Sequence, residues 1–273
     1  MEFALFAERE REGWADPAIS GAYVDKFGPV VDRVAETVLA RADASPGSAV
    51  LDLCCGQGTL TAELAATGAS VTGVDFSPTM LARAAEAVPS ATLVEADAQS
   101  LPFEAESFDR VVCNFGLLHM PDRPAALAEV ARVLRPGGLF VYTNWCPPPE
   151  NPAFATIFGA IKANIDPETP PPPAPDLFEL ADPARAEPML EAAGLSPQSR
   201  EVVRHHWQTA EADGLFDIFR DATVGARLAI LSQSEARIAA MRKAVADKVA
   251  AEFAGDGCFR IPVTAAVVVA VTS

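Results

Sequence analysis

The sequence predicts an α/β protein: a mostly parallel sheet with helices on both faces. Three observations predict it. Short β-rich runs alternate with helical patterns between 49 and 145, glycines cluster just after the first run, and carboxylates close three successive runs.

Residues 17–44 read as helical, with one break near Phe27-Gly28-Pro29. The β-rich runs follow: AVLDLC (49–54), SVTGVDF (70–76), ATLVEAD (91–97), RVVCNFG (110–116) and GLFVYTNW (138–145). Between them helices are expected near 58–67, 77–88 and 123–135. Ser77 is an N-cap for the second of these. In the third, Leu127, Val130, Ala131 and Leu134 share one face, Asp122 caps the start, Pro124 suits the first turn and Gly137 follows the end. Prolines then cluster at 147–149 and 170–173 around a helical stretch, NPAFATIFGAIKANI, and 146–182 reads as a surface elaboration over the active face. A helix (183–193), a strand (199–208), helical stretches (210–254) and a final strand (260–272) complete the chain. The division expected is 1–47, a helical segment covering the ligand site; 48–145, the binding core; and 146–273, a cap with the remaining helices and strands.

Composition narrows the function. Half of the 273 residues are apolar and the net charge is −16, so nucleic acid is disfavoured as a partner. Five cysteines, an odd number without a CxxC pair, read as reduced thiols in a cytoplasmic protein. The three histidines lack metal-ligand spacing, and no metal is expected. The N-terminus is charged too early for a signal peptide, and the apolar run at 261–273 is too short to span a bilayer.

VLDLCCGQG, residues 50–58, is a strand entering a glycine turn. Gly56 and Gly58 let backbone approach a ligand, and the following helix offers free N–H groups. A dinucleotide fingerprint needs glycine where Thr61 stands, and Asp52 would oppose a pyrophosphate. Asp52 fits a cation instead, directly or through water, and S-adenosylmethionine carries an ammonium and a sulfonium. Asp75, closing the second run, can accept both ribose hydroxyls of an adenosine. Phe76 and Met80 can pack on adenine or on the core. Asp97, closing the third, can accept from an adenine amino group while the Ala98 N–H donates to a ring nitrogen.

VLDLCCGQG, GVDFSPTML, ADAQSLPFEAESFD, NFGLLHMPD and EVARVLRPGG resemble the class I S-adenosylmethionine-dependent methyltransferases, in particular the small-molecule branch that includes the ubiquinone and menaquinone biosynthesis enzymes. The resemblance is firm over about 48–145. It implies a Rossmann-like doubly wound sheet of seven strands with the last antiparallel, and S-adenosylmethionine as cofactor with S-adenosylhomocysteine as product. It implies that Asp52 and the Gly56/Gly58 turn hold the methionine end, Asp75 the ribose, and Asp97 with Ala98 the adenine. Asn114 would lie near the methionine moiety or the reacting methyl, and Tyr23 would be brought over the cofactor. Cys54 stands where the family has glycine. Since cysteine takes positive φ only at a cost, ordinary φ is expected there, with the thiol packing rather than acting as a nucleophile.

Methyl transfer from a sulfonium is an in-line displacement, so the protein must align a nucleophile and exclude water. His119, just after the fourth run, is the candidate general base. His205 and His206 should point to opposite faces of their strand, one of them into the substrate pocket. NFGLL is unlike the signature of enzymes that methylate exocyclic amines of bases, so the acceptor expected is a small, largely apolar metabolite. A homodimer is left open. The alternatives are a methyltransferase-fold protein that binds the cofactor without methylating, and, disfavoured by Thr61 and Asp52, a nicotinamide-dependent oxidoreductase.

Overall fold

A computed structural model describes residues 3–148 and 150–272. Met1, Glu2, Pro149 and Ser273 lie outside the described residues, so the proline cluster at 147–149 is seen through Pro148 and the apolar run at 261–273 through Thr272.

Three helices come first: α1 (Ala4–Ala15), α2 (Pro17–Lys26) and α3 (Gly28–Ala42). The core follows as β1 (Ala49–Leu53), α4 (Thr59–Ala66), β2 (Ser70–Asp75), α5 (Pro78–Ala87), β3 (Thr92–Glu95), β4 (Phe108–Cys113), α6 (Arg123–Val133) and β5 (Leu134–Trp145). Then come α7 (Pro152–Asn164), α8 (Pro183–Ala192), β6 (Leu195–Thr209), α9 (Gly214–Ala222), α10 (Gly225–Leu231), α11 (Glu235–Glu252) and β7 (Phe259–Thr272). Several helices start by one device: a short polar residue caps and proline sits in the first turn. Asp16 accepts from the Ala18 N–H, Ser77 from Met80, Asp122 from Ala125 and Asp182 from Ala184. Each side chain satisfies one orphan donor, and each proline removes another.

The seven strands form one sheet in the order β3-β2-β1-β4-β5-β7-β6. All neighbours are parallel except β7, which runs antiparallel to both β5 and β6. Two apolar layers cover it. Val50, Val112, Val141, Ala265 and Val267 face one, with α3, α7, α9 and α11, while Leu51, Val111, Phe140, Ala266 and Val268 face the other, with α6 and α8. Consecutive strand residues thus alternate between two dry interfaces, which explains the near-continuous apolar runs. β6 and β7 belong to the same sheet as the core, so the C-terminal segment completes the fold as well as capping it. Leu134, expected at the end of a helix, begins β5 opposite Phe108.

The chain order reverses beside β1, with β2 on one side and β4 on the other. The carboxyl ends of these strands therefore border a crevice, where sheets of this kind bind ligands. Among the described residues, no helix is long and apolar enough to cross a membrane. All five cysteines are free.

Candidate active site

The turn after β1 is built from positive-φ residues: Cys54 at 61°, Gly56 at 56° and Gly58 at 86°. The expectation of ordinary φ at Cys54 is corrected. The turn needs a left-handed residue there, and Gly116 accommodates its side chain, since a Cβ on Gly116 would lie 2.4 Å from the Cys54 Cβ. A hydrogen bond with the Cys113 thiol, with burial added, holds the Cys54 thiol well above its usual range, and burial raises the neighbouring Cys55 thiol.

Asp75 closes β2 and pins this turn. Its Oδ2 accepts from the Gly56 N–H (2.9 Å) and its Oδ1 from the Ser77 N–H (2.9 Å). Burial raises its pKa against those bonds. Asp52 behaves differently from the sequence reading. It is 1% exposed, beneath the turn, and its Oδ2 accepts from the Thr61 hydroxyl at 2.6 Å. It lines none of the cavities described below. The cation-facing position expected for Asp52 is therefore corrected: Thr61, the residue that breaks the dinucleotide pattern, turns the carboxylate inward. Burial pushes the Asp52 carboxyl up to about 7.

Two small lobes, of about 40 and 60 Å³, lie along the strand ends and share Cys54, Asp75, Phe76, Gly116 and His119. Asp97 and Ala98 line the first, and Met80, Asn114 and Tyr23 the second. Gly58 stays behind the turn, packed against Ala84. Met80, 3% exposed, packs with Trp14 and Ile19, so it serves core and cleft at once. Asp97 lies two residues beyond β3. Its Oδ1 accepts from the Gln99 backbone and side chain, and its Oδ2 pairs with Arg11 at 2.7 Å. The buried Ala98 N–H has no protein acceptor among the described residues, an orphan donor in the lobe that also holds Asp75. Asn114 Oδ1 accepts from the Thr143 hydroxyl at 2.9 Å.

Beside these lobes opens an apolar cavity of about 510 Å³. Phe27, Phe115, Trp145, Phe154, Phe158 and Phe219 supply most of its aromatic wall, and Pro171, Pro172 and Pro175 lie along it. Phe115 has φ 57° and stacks on Trp145 at 3.9 Å between ring centroids, so backbone strain is held at the wall by aromatic packing. Tyr23 stands at the junction. It meets Trp14 edge-on at 4.9 Å and stacks on Phe27 at 5.5 Å, and burial lifts its phenol beyond the usual range.

His119, ending a short 3₁₀ turn at Leu117–His119, lines both lobes and the cavity. Its Nδ1 lies 2.8 Å from Glu10 Oε2, which also accepts from the Trp14 indole N–H at 2.9 Å. Sequence reasoning missed Glu10, Arg11 and Trp14. In the sequence EREREGW serves only as the charge that excludes a signal peptide, although the i, i+4 spacing of Glu10 and Trp14 puts both on one side of α1. Arg123, 2% exposed, was also missed. It donates to the Leu117 and Leu118 carbonyls and to Asp176 and Glu179, tying the His119 turn to the end of the proline segment. His205 and His206 correct their expectation: they sit on edge strand β6 with rings 4.9 Å apart, and neither lines these cavities.

Residues 51–142 match the family described as "Methyltransferase domain". A demethylmenaquinone methyltransferase from Beutenbergia cavernae is 42% identical over 116 residues, covering 42% of this chain and 48% of that protein. A putative methyltransferase from Bacillus halodurans superposes with a TM-score of 0.59 at 19% identity, over 87% of this chain and 97% of that one. The [4+2]-cyclase SpnF superposes with a TM-score of 0.55 at 21% identity, over 88% and 81%. The chain spans about half the length of the curated relatives it matches. Residues 51–142 are thus a methyltransferase domain, the whole sheet has the fold of solved methyltransferases, and the chain resembles the class I S-adenosylmethionine-dependent methyltransferases. Within that class it resembles the quinone-biosynthesis enzymes.

Proposed function

We propose that the protein transfers a methyl group from S-adenosylmethionine to a small, largely apolar acceptor. One observation carries this reading: His119, Trp14 and Tyr23 line both the polar cleft at the strand ends and the 510 Å³ aromatic cavity. A methyl donor in the first would meet an acceptor in the second at those side chains.

The residues fit the cofactor's chemistry. Asp75 would accept the ribose hydroxyls, the orphan Ala98 N–H would donate to an adenine nitrogen, and the Gly56/Gly58 turn, with Asn114 nearby, would receive the methionine end. Asp97 would share its carboxylate with Arg11 and Gln99. Ala7, Glu10 and Arg11 of α1 line the first lobe, and the lobes are far smaller than the roughly 300–1,000 Å³ usual for small-molecule sites. Bound S-adenosylmethionine supplies an activated methyl on a good leaving group. The chain's own residues align the acceptor against the aromatic wall, exclude water, and remove a proton through His119 where the acceptor carries one. Cavity size and the −16 charge support a small molecule over a nucleic acid, and five free thiols support a cytoplasmic setting.

The test is methylation of a metabolite extract with S-adenosylmethionine labelled in its methyl group, with calorimetry for S-adenosylmethionine, S-adenosylhomocysteine and NAD beside it. Binding of the two adenosyl ligands with label transferred supports the reading. Binding without transfer would favour a cofactor-binding protein of other chemistry, which the fold shared with the cyclase SpnF makes a specific alternative. NAD binding alone would overturn both.

A further inference from the structure

We infer that Glu10 is a positioning residue: it fixes the tautomer of His119 so that Nε2 is the base facing an acceptor that brings its own O–H or N–H. The inference rests on the methyltransferase reading and adds the chemical class of the acceptor's reacting group.

The geometry assigns the roles. Glu10 is 5% exposed on α1, and His119 sits on the turn beyond β4, far away in sequence. An ionised carboxylate only accepts, so at 2.8 Å its Oε2 requires a proton on Nδ1. The Trp14 indole N–H donates to the same oxygen, and Trp14 packs edge-on against the imidazole at 5.1 Å, so both rotation and tilt of the ring are fixed. Among the described residues no protein atom hydrogen-bonds Nε2, which leaves that nitrogen for the cavity. A carboxylate on one nitrogen, holding the other as an unprotonated acceptor and steadying the cation that forms, is the arrangement general-base catalysis needs.

The other charged groups around the imidazole leave this role to Glu10. Asp75 of β2 lines the same lobe but makes no hydrogen bond to the imidazole, its oxygens accepting from the Gly56 and Ser77 N–H groups. Arg11 pairs with Asp97, and Arg9 with Glu12. In the step, the acceptor's proton passes to Nε2 and its bonding pair stays on the acceptor's oxygen or nitrogen. That pair makes the bond to the methyl carbon as the sulfur leaves with the old one. The imidazolium, held against Glu10, returns its proton to water. An acceptor with no such proton would gain nothing from the pair.

Glu10→Leu is the decisive variant, because it removes, at similar volume, the one oxygen that the Trp14 indole N–H and Nδ1–H share, and an imidazole without a partner on Nδ1 carries its proton mainly on Nε2. ¹⁵N spectra of the three imidazoles at alkaline pH, assigned with His119→Ala and taken with S-adenosylhomocysteine, read the tautomer without any acceptor. The expected result is Nδ1–H in the wild type and mainly Nε2–H in Glu10→Leu. Turnover of 1-naphthol, or of whatever acceptor the extract assay yields, should fall about 10²- to 10⁴-fold in kcat, with S-adenosylhomocysteine affinity within about threefold of the wild type. Glu10→Asp should restore part of the rate. An Nε2–H tautomer in the wild type, or an unchanged tautomer in Glu10→Leu, would overturn the inference. So would a kcat loss matched by loss of cofactor affinity. A wild type that binds neither adenosyl ligand would instead overturn the methyltransferase reading itself.

Discussion

The cleft along the strand ends and the cavity beside it share His119 but are made differently. The cleft comes from the ends of adjacent parallel strands, where a parallel sheet places every C-terminal residue on one rim. Its chemistry is polar and local: Asp75 holds Gly56 and Ser77, and Asp97 holds Gln99. The cavity gathers α1, α2, α7, α9 and the proline segment, which meet only after the chain has folded, and its wall is nearly all aromatic and aliphatic. A polar, charge-bearing site binds one shape of ligand through defined partners. An apolar wall sets size and dryness and leaves identity open. The difference teaches where variants should act: in the cleft on affinity and on pH dependence, at the junction on rate.

The largest effect is expected at the junction. His119→Ala should lower kcat about 10²- to 10⁴-fold while S-adenosylhomocysteine affinity, measured by calorimetry, stays near that of the wild type. A variant with near-normal kcat would remove proton transfer from the mechanism and leave alignment and desolvation alone.

Next is the buried carboxylate under the cleft. Asp52 is pushed up to about 7 in the folded protein, against 3.8 ordinarily. The native state therefore holds this proton where the unfolded chain has released it. Stability from this group is full below about pH 4 and is lost as pH rises through about 7. A shift of three units corresponds to at most about 4 kcal/mol. Asp52→Asn keeps an acceptor for the Thr61 hydroxyl and carries no charge, so its melting temperature relative to the wild type should rise between pH 5 and pH 8. Parallel melting curves for the two proteins would show that the carboxylate ionises without cost. The cavity wall, with so few charges, should add nothing to this dependence.

Asp75→Ala should weaken cofactor binding by about 1.5–3 kcal/mol, by removing charge-assisted bonds and loosening the turn through Gly56. Acceptor KM should change little, because Asp75 lines the cleft and not the cavity. Titration of S-adenosylhomocysteine into a folded Asp75→Ala variant checks it, and equal affinity would remove Asp75 from the cofactor site.

Much of the cleft was legible in the sequence and little of the cavity. Strands, caps and the glycine turn follow from local pattern, and parallel topology then brings Asp75, Asp97 and Asn114 to one rim. Glu10 could not be read that way, since its partner is on another element and its neighbours in EREREGW are solvated. Asp52 was misread for the complementary reason: its position along the strand is visible in sequence, but the Thr61 hydroxyl that turns it inward acts across the turn. Phe154 and Phe219 look like ordinary core positions until α7 and α9 face one another.

The smallest effect concerns Cys54. A non-glycine residue in the left-handed region costs roughly 1–2 kcal/mol, so Cys54→Gly relieves strain. It also deletes a thiol packed against Cys113 and Gly116, and lost packing offsets the gain. The net change in denaturant midpoint should correspond to less than about 1 kcal/mol. The informative measurement is the pair with Gly116→Ala. A Cβ on Gly116 would lie 2.4 Å from the Cys54 Cβ, 2.7 Å from its Sγ and 2.8 Å from the Cys113 Sγ. Gly116→Ala should therefore be destabilising in the wild type and less so in the Cys54→Gly background, where only the Cys113 clash remains. The coupling should be about 1 kcal/mol or more. If Gly116→Ala costs the same in both backgrounds, the glycine is there for the turn leading to His119 rather than for the thiol, and the cysteine at this position needs a different explanation.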